Sequence, residues 1–182
     1  MDTLTENVIF TIGHSTRAID DFVSLLRHVG VDLVIHIRAF PRSRANPHFD
    51  IDVLPRTLVA EGIAYLHTPA LGGRRPRRAG ASPATGSIWL EASFRNYADY
   101  AETDAFRSAI DDVLGIARDH RVVLMCAEAV WWRCHRRIVA DYLLARGARV
   151  EHILDARRVT PAFLTPGATV RPDGTLDYRG QT

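Results

Sequence analysis

The chain has 182 residues, of which 47% are hydrophobic and 24% charged, a balance typical of globular proteins that excludes a mainly disordered chain. No apolar run approaches the roughly 18 residues of a membrane span, the N-terminal segment lacks a signal-peptide pattern, and two cysteines are too few for a disulfide framework. These features predict a cytoplasmic protein with no membrane association. The net charge is +2, and every basic residue is an arginine.

Strands and helices alternate along the predicted chain. Apolar runs predict five strands, at residues 8–12, 31–37, 63–66, 121–125 and 149–154. Apolar residues at helical spacing predict helices at residues 19–29, 52–61, 94–101, 103–117 and 133–146. Residues 72–87 read as a long mobile loop, and residues 171–175 as the turn of a small hairpin. The alternation predicts a single-domain, Rossmann-like three-layer α/β sandwich with a mainly parallel sheet of about five strands.

Reactive and charged side chains follow the predicted strands. In a parallel sheet the carboxyl ends of the strands meet at one edge, where ligands bind. We therefore expect a functional site at this edge. Its candidate residues each follow a strand or begin the helix behind one: His14, Arg17, Arg38, Arg42, Cys126, Glu128, His135 and Arg136.

The two cysteines allow more than one interpretation. Cys126 is a candidate thiolate nucleophile, with Glu128 and His14 as the other catalytic candidates, but a cysteine at a strand end can equally be a small buried core residue. Cys134 is expected only to pack against the core. A metal site is not predicted, because the spacing of Cys126, Cys134 and His135 matches none of the compact zinc motifs.

The arginines and the helix start predict a ligand class. Arginine binds phosphate and carboxylate through a planar fork, and the first N–H groups of a helix attract anions. Arg17, Arg38, Arg42, His135 and Arg136 are therefore predicted to bind a small anionic substrate, phosphorylated or nucleotide-like, in an enzyme. The alternatives are a nucleic-acid-binding module and a thiol-based redox or metal-binding protein. No particular cofactor is indicated, and the oligomeric state is left open.

Several segments together resemble the DUF488 family, a group of bacterial and archaeal proteins of unknown function. The resemblance spans roughly residues 9–153 and implies an α/β fold with a thiol-containing motif, but it implies no reaction. The segments that carry it are Thr-Ile-Gly-His-Ser-Thr-Arg at 11–17, Arg-Ala-Phe-Pro-Arg-Ser-Arg at 38–44, Pro47 with Phe49, Leu-Gly-Gly-Arg-Arg at 71–75, Tyr-Ala at 97–98, Leu-Met-Cys-Ala-Glu at 124–128 and Cys-His-Arg at 134–136.

The chain departs from the family pattern at one position. The family usually has aspartate where this chain has His36, two residues before Arg38. If that acid is catalytic or a ligand in the family, this chain is altered there or uses imidazole in its place. Where the motifs end, we expect a boundary between a DUF488-like α/β domain at residues 7–155 and a C-terminal extension at residues 156–182.

Overall fold

A computed structural model describes residues 8–80 and 86–180 of the chain. Six strands form its central sheet, in the order β3-β2-β4-β1-β5-β6. The first five strands are mutually parallel, and β6 runs antiparallel to β5. The strands are β1 (Ile9–Gly13), β2 (Leu33–His36), β3 (Ala64–His67), β4 (Val122–Cys126), β5 (Val150–Asp155) and β6 (Arg158–Pro161).

Five helices cover the two faces of this sheet, which confirms the predicted three-layer α/β fold. Thr103 caps α4 by accepting a hydrogen bond from the Phe106 N–H, as its side chain and position predict. Gly30 follows α1 with a φ of 71°, a conformation that glycine adopts without steric cost. The helices are α1 (Ile19–His28), α2 (Leu54–Ala60), α3 (Ala92–Ala101), α4 (Asp104–Ile116) and α5 (Arg136–Ala145).

The helices divide between the two faces in a way that creates a crevice. Helices α1 and α2 pack on one face, with a core around Phe22, Leu54 and Leu58. Helices α3, α4 and α5 pack on the other, around Phe106 and Ile138. Strand β4 lies between β1 and β2 in the sheet. The chain leaves β1 and β2 toward the face that carries α1 and α2, but it leaves β4 toward the face that carries α5. Such a reversal makes the carboxyl ends of β1, β2 and β4 a topological switch point, the usual ligand position in these sheets.

The segment after β5 contributes more structure than the sequence indicates. The prediction of about five strands omits β6, because polar and apolar residues alternate over too few positions there to be recognised in the sequence. The turn at residues 171–175 does join two short strands, β7 (Thr169–Val170) and β8 (Leu176–Asp177). Leu176 and Tyr178 are buried in the same core as α5. The boundary at residue 155 stays a prediction.

Other boundaries shift by a few residues. Helix α5 begins at Arg136 and not at residue 133, because a short 3₁₀ turn, Trp131–Arg133, precedes it. The predicted loop at residues 72–87 has no helix or regular strand in its described part, and residues 81–85 lie outside the described residues. Among the helices described, none is long and apolar enough to span a membrane.

Candidate functional site

Polar and thiol side chains at the carboxyl edge of the sheet form two groups, which contain some of the predicted site residues and two residues that were not predicted. The first is a histidine cluster, which we define as His14, His36 and Arg38. The second is a thiol cluster, defined as Cys126, Cys134 and His135. Side chains alternate between faces along a strand, so the first cluster belongs to the side of α1 and α2, whereas both cysteines pack in the core beneath α5. The predicted residues therefore do not meet in a single group.

His14 follows β1 and is 1% exposed. Its ring stacks on Phe49 with 4.3 Å between centroids, and its Nδ1 lies 2.9 Å from the Ser15 carbonyl oxygen. Because a carbonyl only accepts, Nδ1 carries the hydrogen. Burial lowers the pKa of His14 to about 4, and the charge of Arg38 contributes to this. The ring is neutral near pH 7, so Nε2 presents a free lone pair.

His36 ends β2 and is fully buried. Its Nδ1 lies 2.7 Å from the Tyr65 hydroxyl. Burial lowers the pKa of His36 to about 3, with the charge of Arg38 again contributing, and burial raises that of Tyr65 to about 12. Both groups are therefore neutral near pH 7. When the Tyr65 hydroxyl donates to Nδ1, the ring hydrogen of His36 is on Nε2, which becomes a donor.

Arg38 lies two residues beyond β2, where it is half-buried. Its backbone carbonyl accepts a hydrogen bond from His67 Nε2 at 2.8 Å, which fixes the backbone. One guanidinium nitrogen, Nη2, donates to the Arg42 carbonyl at 3.2 Å. The other, Nη1, is a buried donor.

Three polar atoms of the histidine cluster share an unusual property. His14 Nε2, His36 Nε2 and Arg38 Nη1 are all buried, and none has a hydrogen-bond partner among the described residues. Buried polar groups in proteins are nearly always paired, because leaving one unpaired costs about 1–3 kcal/mol. Donors and an acceptor left unpaired together, at a switch point, are typical of a site that a ligand completes.

The thiol cluster brings Cys126 and Cys134 together, and both thiols are free. Cys126 is 4% exposed and Cys134 is 2% exposed. A hydrogen bond to Cys134, together with burial, raises the pKa of the Cys126 thiol. Burial opposes ionisation of Cys134, but the hydrogen bond from Cys126 and the charges of His135 and Arg136 outweigh it and lower the pKa of Cys134. Of the two thiols, Cys134 is the one that ionises more readily.

His135 links the two thiols to β2. Its Nδ1 lies 3.9 Å from Cys126 Sγ and 3.6 Å from Cys134 Sγ. Its Nε2 lies 3.1 Å from the Ile37 carbonyl oxygen, to which it donates. The donor atoms of all three side chains lie within 4.8 Å of one another, a grouping that could hold a metal ion.

Arg136 does not occupy the exposed position that an anion-binding residue at a helix start would need. Its side chain is 1% exposed. The guanidinium donates to the Glu128 carbonyl at 2.5 Å, to Cys134 Sγ at 3.4 Å and to Thr11 Oγ1 at 3.5 Å. The guanidinium therefore lies buried beneath the β4–α5 connection and is bonded to protein atoms, and the role of Arg136 in binding an anion stays a prediction.

The other predicted residues serve different roles in the structure. Arg17 donates from Nη2 to the Leu154 carbonyl at 2.6 Å and so connects the ends of β1 and β5. Arg42 is exposed and forms an ion pair with Asp52 at 2.5 Å. The side chain of Glu128 is exposed, and its backbone carbonyl accepts a hydrogen bond from Arg136. These contacts give none of the three a position inside either cluster.

A cleft of about 250 Å³ lies elsewhere, between α3 and the C-terminal hairpin. Its arginines are already bonded within the protein. Arg171 pairs with Glu102 at 2.6 Å, and Arg179 pairs with Asp177 at 2.7 Å. Arg95 donates to the carbonyl of Trp89 at 2.9 Å. Trp89 Nε1, at the same cleft, is also buried without a partner among the described residues, but the arginines of the cleft are paired.

Comparison with known proteins supports one assignment. The model of the family described as domain of unknown function DUF488 matches residues 18–143, more than half of the chain. The chain belongs to the DUF488 family. No curated protein and no solved structure matched it. The DUF488 match includes His36, Arg38 and the whole thiol cluster, whereas His14 precedes the matched residues.

Two residues of these clusters, Cys134 and His36, are not among the site candidates that the sequence predicts. Cys134 is predicted only to pack against the core, because it lies four residues before Ile138 on the apolar side of a helix. Cys134 does pack in the core, and the 3₁₀ turn before α5 also places its sulfur within 4.8 Å of the Cys126 sulfur. His36 stands where the family usually has aspartate, but the sequence does not place it among the predicted site residues. Its position at the end of a buried strand was the signal that could have identified it.

Buried neutral histidines predict a pH-dependent stability. Burial lowers the pKa of His36 and of His152 to about 3, from 6.5 in an unfolded chain. Between these values the unfolded chain binds protons that the folded chain does not. The contribution of each histidine to stability is therefore fully present above pH 6.5. On acidification the free energy of unfolding falls by up to about 1.4 kcal/mol per pH unit for each of these groups.

Urea unfolding of the wild type and of His152→Gln, followed between about pH 7 and about pH 5, tests this linkage. The His152→Gln variant should lose stability less steeply on acidification than the wild type does. His28→Gln, at an exposed histidine on α1, is the control and should keep the wild-type slope. Equal slopes in all three proteins would contradict the assignment of His152 as a buried neutral group.

Proposed function

We propose that the chain is an enzyme that acts on a small anionic substrate, phosphorylated or nucleotide-like, bound at the histidine cluster. The observation that carries the proposal is that three of the five buried, unpartnered side-chain polar atoms among the described residues belong to this one cluster: His14 Nε2, His36 Nε2 and Arg38 Nη1. A ligand that pairs with them removes the cost of leaving them unpaired. The switch-point position of the same residues gives independent support.

Each atom of the cluster suits a different part of such a substrate. Arg38 Nη1 is a charged donor, which forms strong hydrogen bonds with phosphate or carboxylate oxygen. His36 Nε2, when it carries the ring hydrogen, donates to a second oxygen of the same group. His14 Nε2 is an acceptor held in position by the Ser15 carbonyl and by stacking on Phe49. It can accept a proton from a hydroxyl of the substrate, which is the role of a general base.

This assignment changes the distribution of roles among the predicted residues. His14 keeps a catalytic role and Arg38 keeps an anion-binding role. The Glu128 side chain is exposed, and the Cys126 thiol is held protonated beside Cys134, so neither is assigned the proton transfer. The low pKa of His14 makes it a weak base in the free protein. An anionic substrate beside it raises that pKa, because a negative charge favours the protonated ring.

Thermal unfolding with and without inorganic phosphate tests the binding step. At a hundredfold excess over Kd, one bound ligand adds about 2.7 kcal/mol, which for a chain of this size raises Tm by roughly 5–10 °C. Arg38→Gln should abolish this rise, whereas Arg44→Gln, at an exposed arginine on the same loop, should keep it. A rise that survives Arg38→Gln would contradict the proposed anion site.

Two further outcomes would change the functional class. If stabilisation requires a polynucleotide and disappears steeply with added salt, the protein is a nucleic-acid-binding module and not an enzyme for a small substrate. If phosphorylated compounds bind through Arg38, NMR of each mixture follows turnover. In the enzyme, His14→Asn binds the compound but no longer converts it. Binding without turnover by the wild type would contradict the enzymatic part of the proposal.

A further inference from the structure

The thiol cluster lies outside the proposed substrate site, and its chemistry is that of a metal site. We propose that Cys126, Cys134 and His135 bind a thiophilic divalent cation, and that zinc is the ion that suits them best. Thiolate and imidazole together are the ligands that zinc selects in proteins. Three protein ligands leave one coordination position for water or substrate, as catalytic zinc sites do.

The spacing of the ligand atoms fits this ion. With Zn–S near 2.3 Å and Zn–N near 2.0–2.1 Å, tetrahedral geometry places neighbouring ligand atoms about 3.5–3.8 Å apart. The observed separations from His135 Nδ1 are 3.6 Å to Cys134 Sγ and 3.9 Å to Cys126 Sγ. All three atoms lie within 4.8 Å of one another. Both nitrogen–sulfur separations are therefore within a few tenths of an ångström of the tetrahedral values, and the two sulfurs need to approach by at most about 1 Å.

The histidine has its ligand nitrogen available. Its Nε2 donates to the Ile37 carbonyl at 3.1 Å, so in the neutral ring the lone pair is on Nδ1, the atom that faces both sulfurs. A hydrogen bond from the second ring nitrogen to a backbone carbonyl is a common support of metal-bound histidine, because it fixes both the tautomer and the orientation of the ring.

The charges around the cluster balance a bound ion. Two thiolates compensate the charge of a divalent cation, which removes the main cost of burying it. Arg136 adds a positive charge nearby, but it acts as a donor to sulfur, with its backbone N at 3.5 Å and its Nε at 3.4 Å from Cys134 Sγ. Hydrogen bonds of this kind stabilise a ligand in its anionic form.

Gly73 keeps the space beside the histidine nitrogen. The backbone of Gly73 passes so close to the ring that a Cβ there would lie 2.8 Å from His135 Nδ1. A side chain at this position would crowd the atom that binds the ion. The absence of one leaves Nδ1 accessible within an otherwise buried cluster.

Titration of the full-length chain, without a polyhistidine tag, by cobalt(II) tests the proposal. Thiolate-bound tetrahedral cobalt absorbs strongly in the visible range, and zinc should displace it. We expect one equivalent of cobalt to bind and one equivalent of zinc to remove the absorption. The wild-type spectrum needs no variant, so the test is informative even if substitutions in the cluster prevent folding. No thiolate-cobalt absorption in the reduced, folded protein would overturn the proposal.

Variants identify the ligands. Cys126→Ser, Cys134→Ser and His135→Gln should each weaken zinc binding by more than the roughly 10–100-fold that loss of a supporting hydrogen bond causes. His67→Gln removes another histidine from the same edge of the sheet and should leave zinc affinity unchanged. Zinc binding that persists in the Cys126→Ser/Cys134→Ser double variant would overturn the assignment, as would its loss in His67→Gln alone.

Two adjacent thiols can also act as a redox pair. The same protein preparation distinguishes a redox pair from a metal site. Bound zinc should protect both thiols from a thiol reagent and from peroxide, and a chelator should remove that protection. If zinc gives no protection and peroxide converts the two thiols to a disulfide, the cluster is a redox pair and the metal assignment is wrong. Both results are independent of phosphate binding at Arg38, so this test and that of the proposed function can fail separately.

Discussion

Gly13→Ala should destabilise the protein by about 3 kcal/mol or more, since overpacking a rigid site costs this much when the neighbours cannot move. Gly13 ends β1, and a Cβ there would lie 1.7 Å from the Glu128 carbonyl oxygen and 2.9 Å from Arg136 Nη2. The nearer atom belongs to the backbone, and the same carbonyl accepts the 2.5 Å hydrogen bond from Arg136. The whole β4–α5 connection would have to shift, and the thiol cluster with it.

Gly115→Ala is the matched control for this substitution. Gly115 lies near the end of α4, and a Cβ there would meet nothing within 4 Å among the described residues. Alanine favours helix over glycine by up to about 1 kcal/mol, so this variant should be more stable than the wild type. Urea unfolding measures both variants. A Gly13→Ala protein within about 0.5 kcal/mol of the wild type, the usual range for surface changes, would contradict the described packing.

Arg136→Ala should also be strongly destabilising, by about 3 kcal/mol. The substitution removes one of the largest fully buried side chains, which leaves a cavity. It also removes the donor to the Glu128 carbonyl and the donor to Cys134 Sγ, so both acceptors lose a hydrogen-bond partner. Chemical unfolding followed by circular dichroism gives the free energy.

Arg133→Ala is the appropriate comparison for Arg136→Ala. Arg133 is exposed on the 3₁₀ turn that precedes α5, so its loss should change the free energy of unfolding by no more than about 0.5 kcal/mol. If Arg136→Ala lowered the free energy of unfolding as little as Arg133→Ala, the hydrogen bonds and packing described for Arg136 would not stabilise the fold. Arg136 would then become a candidate for binding anions at the helix start, as its sequence position suggests.

The fold was predictable because its strongest signals are local. Strands buried on both faces appear as continuous apolar runs, and the start of α4 is marked by a capping threonine before a regular apolar stripe. Strand β6 was missed because a strand at the edge of the sheet, with half of its residues exposed, has no such run. Its place depends on pairing with β5, an interaction between segments that no local pattern encodes.

The position of the site was predictable, but its internal geometry was not. Parallel strands bring their carboxyl ends together, which predicts a site at that edge with His14, Arg38 and Cys126 among its residues. The sequence does not reveal which face each side chain takes beyond the strand end, so it did not separate the two clusters. Nor does it show that Arg136 is buried beneath the loop after β4, because that loop has no regular pattern to indicate its path.

An anomalous diffraction measurement on crystals soaked in tungstate, a tetrahedral oxyanion like phosphate, tests the central claim most directly. Crystals grown without phosphate or sulfate should show a tungsten peak at the carboxyl edge of the sheet. Its oxygen atoms should lie within hydrogen-bond distance of Arg38 Nη1 and His36 Nε2, and the peak should be absent from crystals of Arg38→Gln. Tungstate bound only at exposed arginines such as Arg44, with none beside Arg38, would contradict the claim that the histidine cluster is an anion site.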